Sequence, residues 1–342
     1  MRPLIPRKEA DNMDLSTQYM GFNLPHPLIP GASPMVDDLD TVRRLEDAGA
    51  PMIIMHSIFE EQLVKEELYV DWTIMQGEYN SGEASGYLPT PYHFRLGPDT
   101  YLKQLQKIKQ AVRVPVIASL NGHTRGGWTA YAKLLQESGA DGIELNLYDL
   151  ILSIGRNSAD VERESLEIIR DVRESVKLPL AVKLSPFYTS PVHFVAQAVR
   201  AGAENVVIFN RFYQADIDIE NLTVKRDLRL STSDELLPRL KWTAALSGHV
   251  NCRLAITGGV HNVEDIVKCI MVGADAVQIV SALLKHGPEH LTTLRDALAH
   301  WMQAHEYTSI KQMKGCMSMM RSPLPELFER RNYIEILQGW KK

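Results

Sequence analysis

No two of the chain's three cysteines, Cys252, Cys269 and Cys316, stand at CxxC spacing. They read as reduced thiols of a cytosolic protein, in or beside the core. No metal site is expected. No apolar run reaches the roughly 18 residues that a membrane-spanning helix needs. The opening stretch, residues 1–16, lacks a long apolar segment and does not read as a secretory signal. Neither sign of charge dominates: 37 Lys and Arg are mixed with 42 Asp and Glu, for a net charge of −5. That balance argues against a broad nucleic-acid surface. No GxGxxG follows the first strand-like run, which weighs against an open dinucleotide-binding sheet.

What is present is most concentrated near the C-terminus. Ile256-Thr257-Gly258-Gly259-Val260 reads as strand, glycine turn, helix. Ala274–Pro288 reads as strand, small-residue turn, helix, with Val280-Ser281 at the turn. Two adjacent glycines let backbone N–H groups approach an anion closely, and a serine at a helix start adds a hydroxyl and further donors. Paired turns of this kind at the end of a parallel barrel commonly hold a phosphate.

Eight short apolar runs recur along the chain: Leu28–Ser33, Met52–His56, Val114–Leu120, Gly142–Leu147, Leu180–Leu184, Asn205–Asn210, Arg253–Thr257 and Ala276–Val280. Near-continuous apolar strands are buried on both faces, as in parallel sheets. Helix-compatible stretches lie between them, including 40–49, 127–138, 160–176, 190–201, 233–247 and 262–272. Four of these end in Gly-Ala, at Gly49, Gly139, Gly202 and Gly273, where glycine takes the left-handed backbone that closes a helix. The fold expected is α/β, a (β/α)8 TIM barrel over 14–320, after an N-terminal extension (1–13) and before a C-terminal helical tail (321–342). The connection after the second strand, 58–98, is too long for a plain βα loop, as is 211–231 after the sixth. Both leave the catalytic face of a barrel, as lids or as contacts of a dimer.

Polar residues cluster at the C-terminal ends of the strands: Ser33, His56, Ser57, Ser119, Asn121, Asn146, Lys183, Ser185, Asn210, Thr257, Gln278 and Ser281. Lys183 follows Leu180-Ala181-Val182 and points into the barrel mouth, where a cation needs an anion or an electron-rich partner. Three readings fit it: a donor to the pyrimidine ring of a flavin, a Schiff-base lysine, or an ion pair with Glu144 or Asp149. Asn146 can donate to and accept from a planar heterocycle or a carboxylate. Asp149 can serve as a general base or as a turn residue.

In their order, these motifs resemble the dihydroorotate dehydrogenases, most closely the soluble class 1 type. The likeness runs from Leu15 to about Met317. It includes Met20-Gly21-Phe22, Gly31-Ala32-Ser33, Pro115–Ser119, Glu144-Leu145-Asn146-Leu147, Ala181–Pro186, Thr257–Val260 and Ala282–Pro288. The resemblance implies an FMN-binding barrel. It places Ala32, Ser33, His56, Ser57 and Ser119 near the flavin and Lys183 at its pyrimidine edge. Asn146 and Asn210 reach flavin or substrate, and Gly258, Gly259, Val280 and Ser281 hold the phosphate. It also implies a cytoplasmic homodimer, and electron transfer onward to fumarate, a partner flavoprotein or a quinone according to class.

The departures fall on the substrate side. The family's Ser-Cys-Pro-Asn loop, whose cysteine is the base, is here Tyr148-Asp149-Leu150-Ile151. Its Lys-Ser on the second strand is His56-Ser57. Its Asn-x-x-Gly-Leu-Pro-Asn loop is Ala84–Thr90, without either asparagine, and Arg211 follows Asn210. The expectation is an FMN-dependent oxidoreductase acting on a dihydroorotate-like or other small anionic substrate. Asp149 would be the base, Lys183 would face the flavin, and Arg211, Asn146 and Asn210 would contact the substrate. One alternative is a genuine dihydroorotate dehydrogenase of pyrimidine biosynthesis with a substituted base. Another is a non-catalytic flavin-binding subunit relaying electrons to a redox partner.

Overall fold

The computed structural model describes residues 13–59, 98–121, 125–147, 151–211, 216–225, 228–328 and 330–339. Asp149 and the Ala84–Thr90 loop lie outside them.

The eight apolar runs form one parallel sheet. Its strands are β3 (Leu28–Pro30), β4 (Ile53–Phe59), β5 (Val116–Asn121), β6 (Gly142–Asn146), β7 (Leu180–Lys183), β8 (Asn205–Ile208), β11 (Arg253–Thr257) and β12 (Ala276–Ile279). From β4 onward each strand pairs with the next in this order, and β12 pairs with β3. The end strands β3 and β4 lie side by side, bringing the sheet round into a nearly closed barrel. Almost every residue of these strands is buried, because one face lines the barrel and the other is covered by helices.

The outer helices are α1 (Leu39–Asp47), α2 (Pro98–Ala111), α3 (Arg125–Glu137), α4 (Ser158–Ser175), α5 (Pro191–Ala201), α6 (Leu237–Leu246) and α7 (Val263–Val272). They are followed by α8 (Ser281–His286) and α9 (His290–Ala304). All four Gly-Ala stops close helices as expected. Gly49, Gly139, Gly202 and Gly273 have φ of 92°, 90°, 116° and 116°. In each case the glycine and the following alanine donate back to carbonyls of the last helical turn, as in Ala50 N–H to Leu45 O at 2.9 Å.

Two sequence expectations shift. The 233–247 helix is in fact a 3-10 turn, Ser233–Leu236, followed by α6. Pro238 stands in the first turn of α6, where its missing N–H costs nothing. The 160–176 helix starts earlier, at Ser158, because the Asn157 side chain caps it by accepting from Asp160 N–H. The 211–231 connection carries a small antiparallel ribbon, β9 (Asp216–Asp218) with β10 (Thr223–Lys225). In the tail, a helix spans Arg330–Gln338 and Phe328 packs on the core.

An N-terminal hairpin, β1 (Thr17–Tyr19) and β2 (Phe22–Leu24), turns at Met20-Gly21, both with positive φ. Tyr19 and Met20 are fully buried against Ile54, Ile117, Val207 and Ala255 inside the barrel. Met20 N–H donates to Asn205 Oδ1 at 3.0 Å, at the start of β8. The hairpin thus fills the N-terminal end of the barrel, and the chemistry is left to the other end.

Candidate functional site

At the C-terminal ends of the strands lies a cavity of about 800 Å³. Ala32, Ser33, His56, Ser57, Asn146, Lys183, Asn210, Arg211, Gly258, Gly259, Val280 and Ser281 all line it. Ser119 stands one bond behind: its Oγ is 2.7 Å from Ser57 Oγ. Asp149 falls outside the described residues. The strand ends therefore bring together every described residue expected at cofactor or substrate, whereas Asn121 and Ser185, also singled out at strand ends, do not line the cavity and Ser185 lines a separate one.

The floor of the cavity is charged. Lys183 is 6% exposed and its Nζ lies 3.3 Å from Oε1 of the fully buried Glu144. Glu144 Oε2 accepts from Gln278 Nε2 at 2.7 Å. The ion pair and the cavity-facing position occur together, so Lys183 presents an ammonium to the cavity while a carboxylate balances it from below. Such a pair is tolerated in the interior when its remaining hydrogen-bonding capacity is met.

Above the floor, several polar atoms await partners. Asn146 donates from Nδ2 to Ser57 Oγ at 3.3 Å, yet its Oδ1 has no partner among the described residues. The same is true of Ser33 Oγ, and both residues are at least nine-tenths buried. Buried polar atoms are nearly always satisfied in a finished structure, so a ring of unsatisfied ones marks where a polar ligand belongs.

His56 is placed by a bulge. Between Ile54, opposite Ile117, and Ser57, opposite Ser119, two residues of β4 face one of β5. The gap is filled by Tyr101 of α2. Its hydroxyl lies 3.0 Å from His56 O and 3.3 Å from Ser119 O, and accepts from Ser119 N–H at 3.1 Å. Burial holds this phenol protonated. His56 Nδ1 is 2.9 Å from Asp37 Oδ1, although at an angle poor for a hydrogen bond. Burial lowers the His56 pKa below its usual value, and Asp37 only partly offsets this. Tyr101→Phe is expected to cost about 1–3 kcal/mol, because it orphans Ser119 N–H and His56 C=O. Urea unfolding measures that loss.

The glycine turn is shaped for close approach. Gly258 and Gly259 have φ of 88° and 81°. A Cβ on Gly259 would stand 2.6 Å from Leu236 N, and one on Gly258 would stand 2.9 Å from Arg239 Nη2. Gly259 N–H donates to Ser231 Oγ at 3.3 Å, and Ser231 N–H donates to Ser281 Oγ at 3.1 Å. Ser231 joins the two turns, and only its place at the end of a long loop hints at this in the sequence. Arg211, expected at the substrate, lines the cavity, but its guanidinium is held bidentately by Glu235, at 2.9 and 3.1 Å.

Among the described residues no group of three or more His, Cys, Asp or Glu side chains is placed to hold a metal ion, and no helix is long and apolar enough to cross a membrane. The glycine turn with its serines, the cation at the floor and the unsatisfied Asn146 and Ser33 suit a planar, polar heterocycle that carries a phosphate.

The sequence profile of the dihydroorotate dehydrogenases matches residues 95–302, more than half of the chain. The catalytic subunit of dihydroorotate dehydrogenase B (NAD(+)) from Thermoplasma volcanium is 25% identical over 310 residues, covering 88% of this chain and 98% of that protein. The corresponding subunit from Methanothermobacter thermautotrophicus is 25% identical over 309 residues, with coverage of 88% and 97%. The PreA subunit of NAD-dependent dihydropyrimidine dehydrogenase from Escherichia coli is 22% identical over 347 residues, with coverage of 94% and 80%. The barrel, the cavity at its C-terminal end and the matched sequence agree: the chain belongs to the dihydroorotate dehydrogenase family of flavin-dependent dehydrogenases.

Proposed function

We propose that the chain binds FMN in this cavity and oxidises a small anionic, dihydroorotate-like substrate. The observation that carries the reading is the meeting, in one cavity, of the Gly258-Gly259 turn, Ser281 and Lys183. The first three suit a phosphate and the fourth suits the electron-rich edge of a pyrimidine ring. Bound FMN supplies the hydride acceptor. The chain's own residues do the rest. Lys183 donates a charged hydrogen bond where negative charge develops, Asn146 and Ser33 hold polar ring atoms, and Asn210 orients the substrate. Arg211 attracts the substrate's carboxylate while Glu235 keeps its fork in place. Asp149 takes the proton as general base.

The match to relatives named as subunits supports a redox partner protein as the electron acceptor. A cytoplasmic homodimer belongs to the same reading, and sedimentation of the purified chain tests the dimer.

The first experiment is an absorption spectrum of the purified chain after incubation with FMN, followed by anaerobic titration with dihydroorotate, with related cyclic carboxylates and with dihydropyrimidines that lack the carboxylate. A flavin spectrum bleached by a carboxylated substrate is expected. No FMN uptake at micromolar concentration sinks the reading. Bleaching by dihydroorotate itself favours the genuine dihydroorotate dehydrogenase, to which the names of the relatives lend weight. Binding without bleaching by any substrate favours an electron-relay subunit. Asp149→Asn should slow any bleaching about 10²- to 10⁴-fold.

A further inference from the structure

Arg239 projects from α6 beneath the glycine turn and is only 8% exposed. Its Nε donates to Thr257 O and its Nη1 to Glu235 O, both neutral carbonyls. Among the described residues no carboxylate forms a salt bridge with it. The nearest acidic side chain in its own segment, Glu235, spends both oxygens on Arg211. The other buried carboxylate of this corner, Asp265, accepts from Ser233 Oγ at 2.6 Å and from His261 N–H at 3.0 Å. Glu235 thus pairs with Arg211, and Arg239 is a buried guanidinium with no carboxylate in salt-bridge contact among the described residues. A guanidinium stays protonated in proteins, so this charge cannot be relieved by losing a proton. Taking it out of water is costly unless an anion faces it.

Gly258 is the residue directly over the guanidinium, where even a Cβ would stand 2.9 Å from Nη2 and 3.0 Å from Nε. The turn is thus one peptide thick, with Arg239 on its inner side and the cavity on its outer side. Gly258, Gly259, Ser231 and Ser281 all line that outer side. By gripping Thr257 O, Arg239 also fixes the peptide that leads into the turn.

We infer that Arg239 is a positioning residue for the phosphate of the cofactor. It holds the Thr257-Gly258-Gly259 turn open toward the cavity and supplies, through the turn, the positive charge that selects a phosphorylated flavin over the dephosphorylated one. The inference rests on the flavin reading above and extends it, since the glycine turn alone offers dipoles and this arginine offers a full charge.

The test compares FMN with riboflavin, by quenching of flavin fluorescence on binding to the full chain. Wild-type protein should bind FMN much more tightly than riboflavin. Arg239→Met should weaken FMN about 10- to 100-fold and leave riboflavin nearly unchanged, which also shows that the variant is folded. Arg239→Lys keeps the charge but cannot grip both carbonyls. It should show a smaller loss, roughly 3- to 10-fold, again confined to FMN. Because lysine is the milder change, it keeps the test decisive if the methionine variant fails to fold. Unchanged FMN affinity in the lysine variant, or equal losses for FMN and riboflavin, overturns the inference and leaves flavin binding standing. A wild-type chain that binds neither flavin overturns the flavin reading and this inference with it.

Discussion

Lys183→Met is expected to lose about 3–5 kcal/mol of stability and to reduce bound flavin about 10²- to 10³-fold more slowly than the wild type. Two separate effects underlie the two numbers. The stability loss follows from Glu144, which is fully buried and would keep only Gln278 as a partner. A buried carboxylate stripped of its cation either remains charged at high cost or takes up a proton. The rate loss follows from the cavity side, where the ammonium no longer meets developing negative charge. The double variant Lys183→Met with Glu144→Gln separates them. It should recover most of the stability, since no lone charge remains in the barrel, and none of the rate. Urea unfolding and anaerobic stopped-flow reduction give the two readouts. A single variant as stable and as fast as wild type would remove Lys183 from both roles.

Gly259→Ala should be the most damaging single-methyl change in the chain, with a loss of about 2–5 kcal/mol and loss of measurable FMN binding. The left-handed backbone at φ 81° costs a non-glycine residue about 1–2 kcal/mol. The added Cβ would also meet backbone, at 2.6 Å from Leu236 N and 3.0 Å from Glu235 C, where no rotamer can give way. Overpacking of this kind adds about 1–3 kcal/mol. The turn must shift, and with it the donors that face the cavity. Gly126→Ala is the matched control. It lies in α3 with nothing within 4 Å of a built Cβ, and it should be neutral or slightly stabilising. Thermal unfolding and fluorescence titration of both variants check the contrast. Equal behaviour of the two would mean that the turn is more plastic than its packing implies.

Features that reside in short stretches of chain were legible in the sequence. A strand buried on both faces writes itself as an apolar run, and all eight runs are strands of the barrel. A Schellman stop needs only a glycine and its neighbour, and all four stops hold. Most of the strand-end residues, Ser33 and Ser281 among them, converge because a barrel gathers one end of every strand at one mouth. Long-range partnerships left no such mark. Tyr101 meets His56 across 45 positions, and Ser231 meets Ser281 across 50. Nothing in the sequence marks Arg239 or Asp37 for its place beside the cavity. Arg211 reads as a substrate ligand in the sequence, but its pairing with Glu235, 24 residues away, leaves no mark there. Met20 belongs to a motif of the family likeness, and nothing in the local pattern says that it and Tyr19 fill the barrel.

That N-terminal hairpin has a kinetic consequence. With Tyr19 and Met20 fully buried across the barrel's interior, the N-terminal end of the barrel is plugged, and traffic to the cavity comes from the C-terminal side of the strands. Substrate, product and any small soluble oxidant must then take turns. The order of events would be reduction, departure and reoxidation, and steady-state plots should give parallel lines, with the product competing against the oxidant for the same doorway.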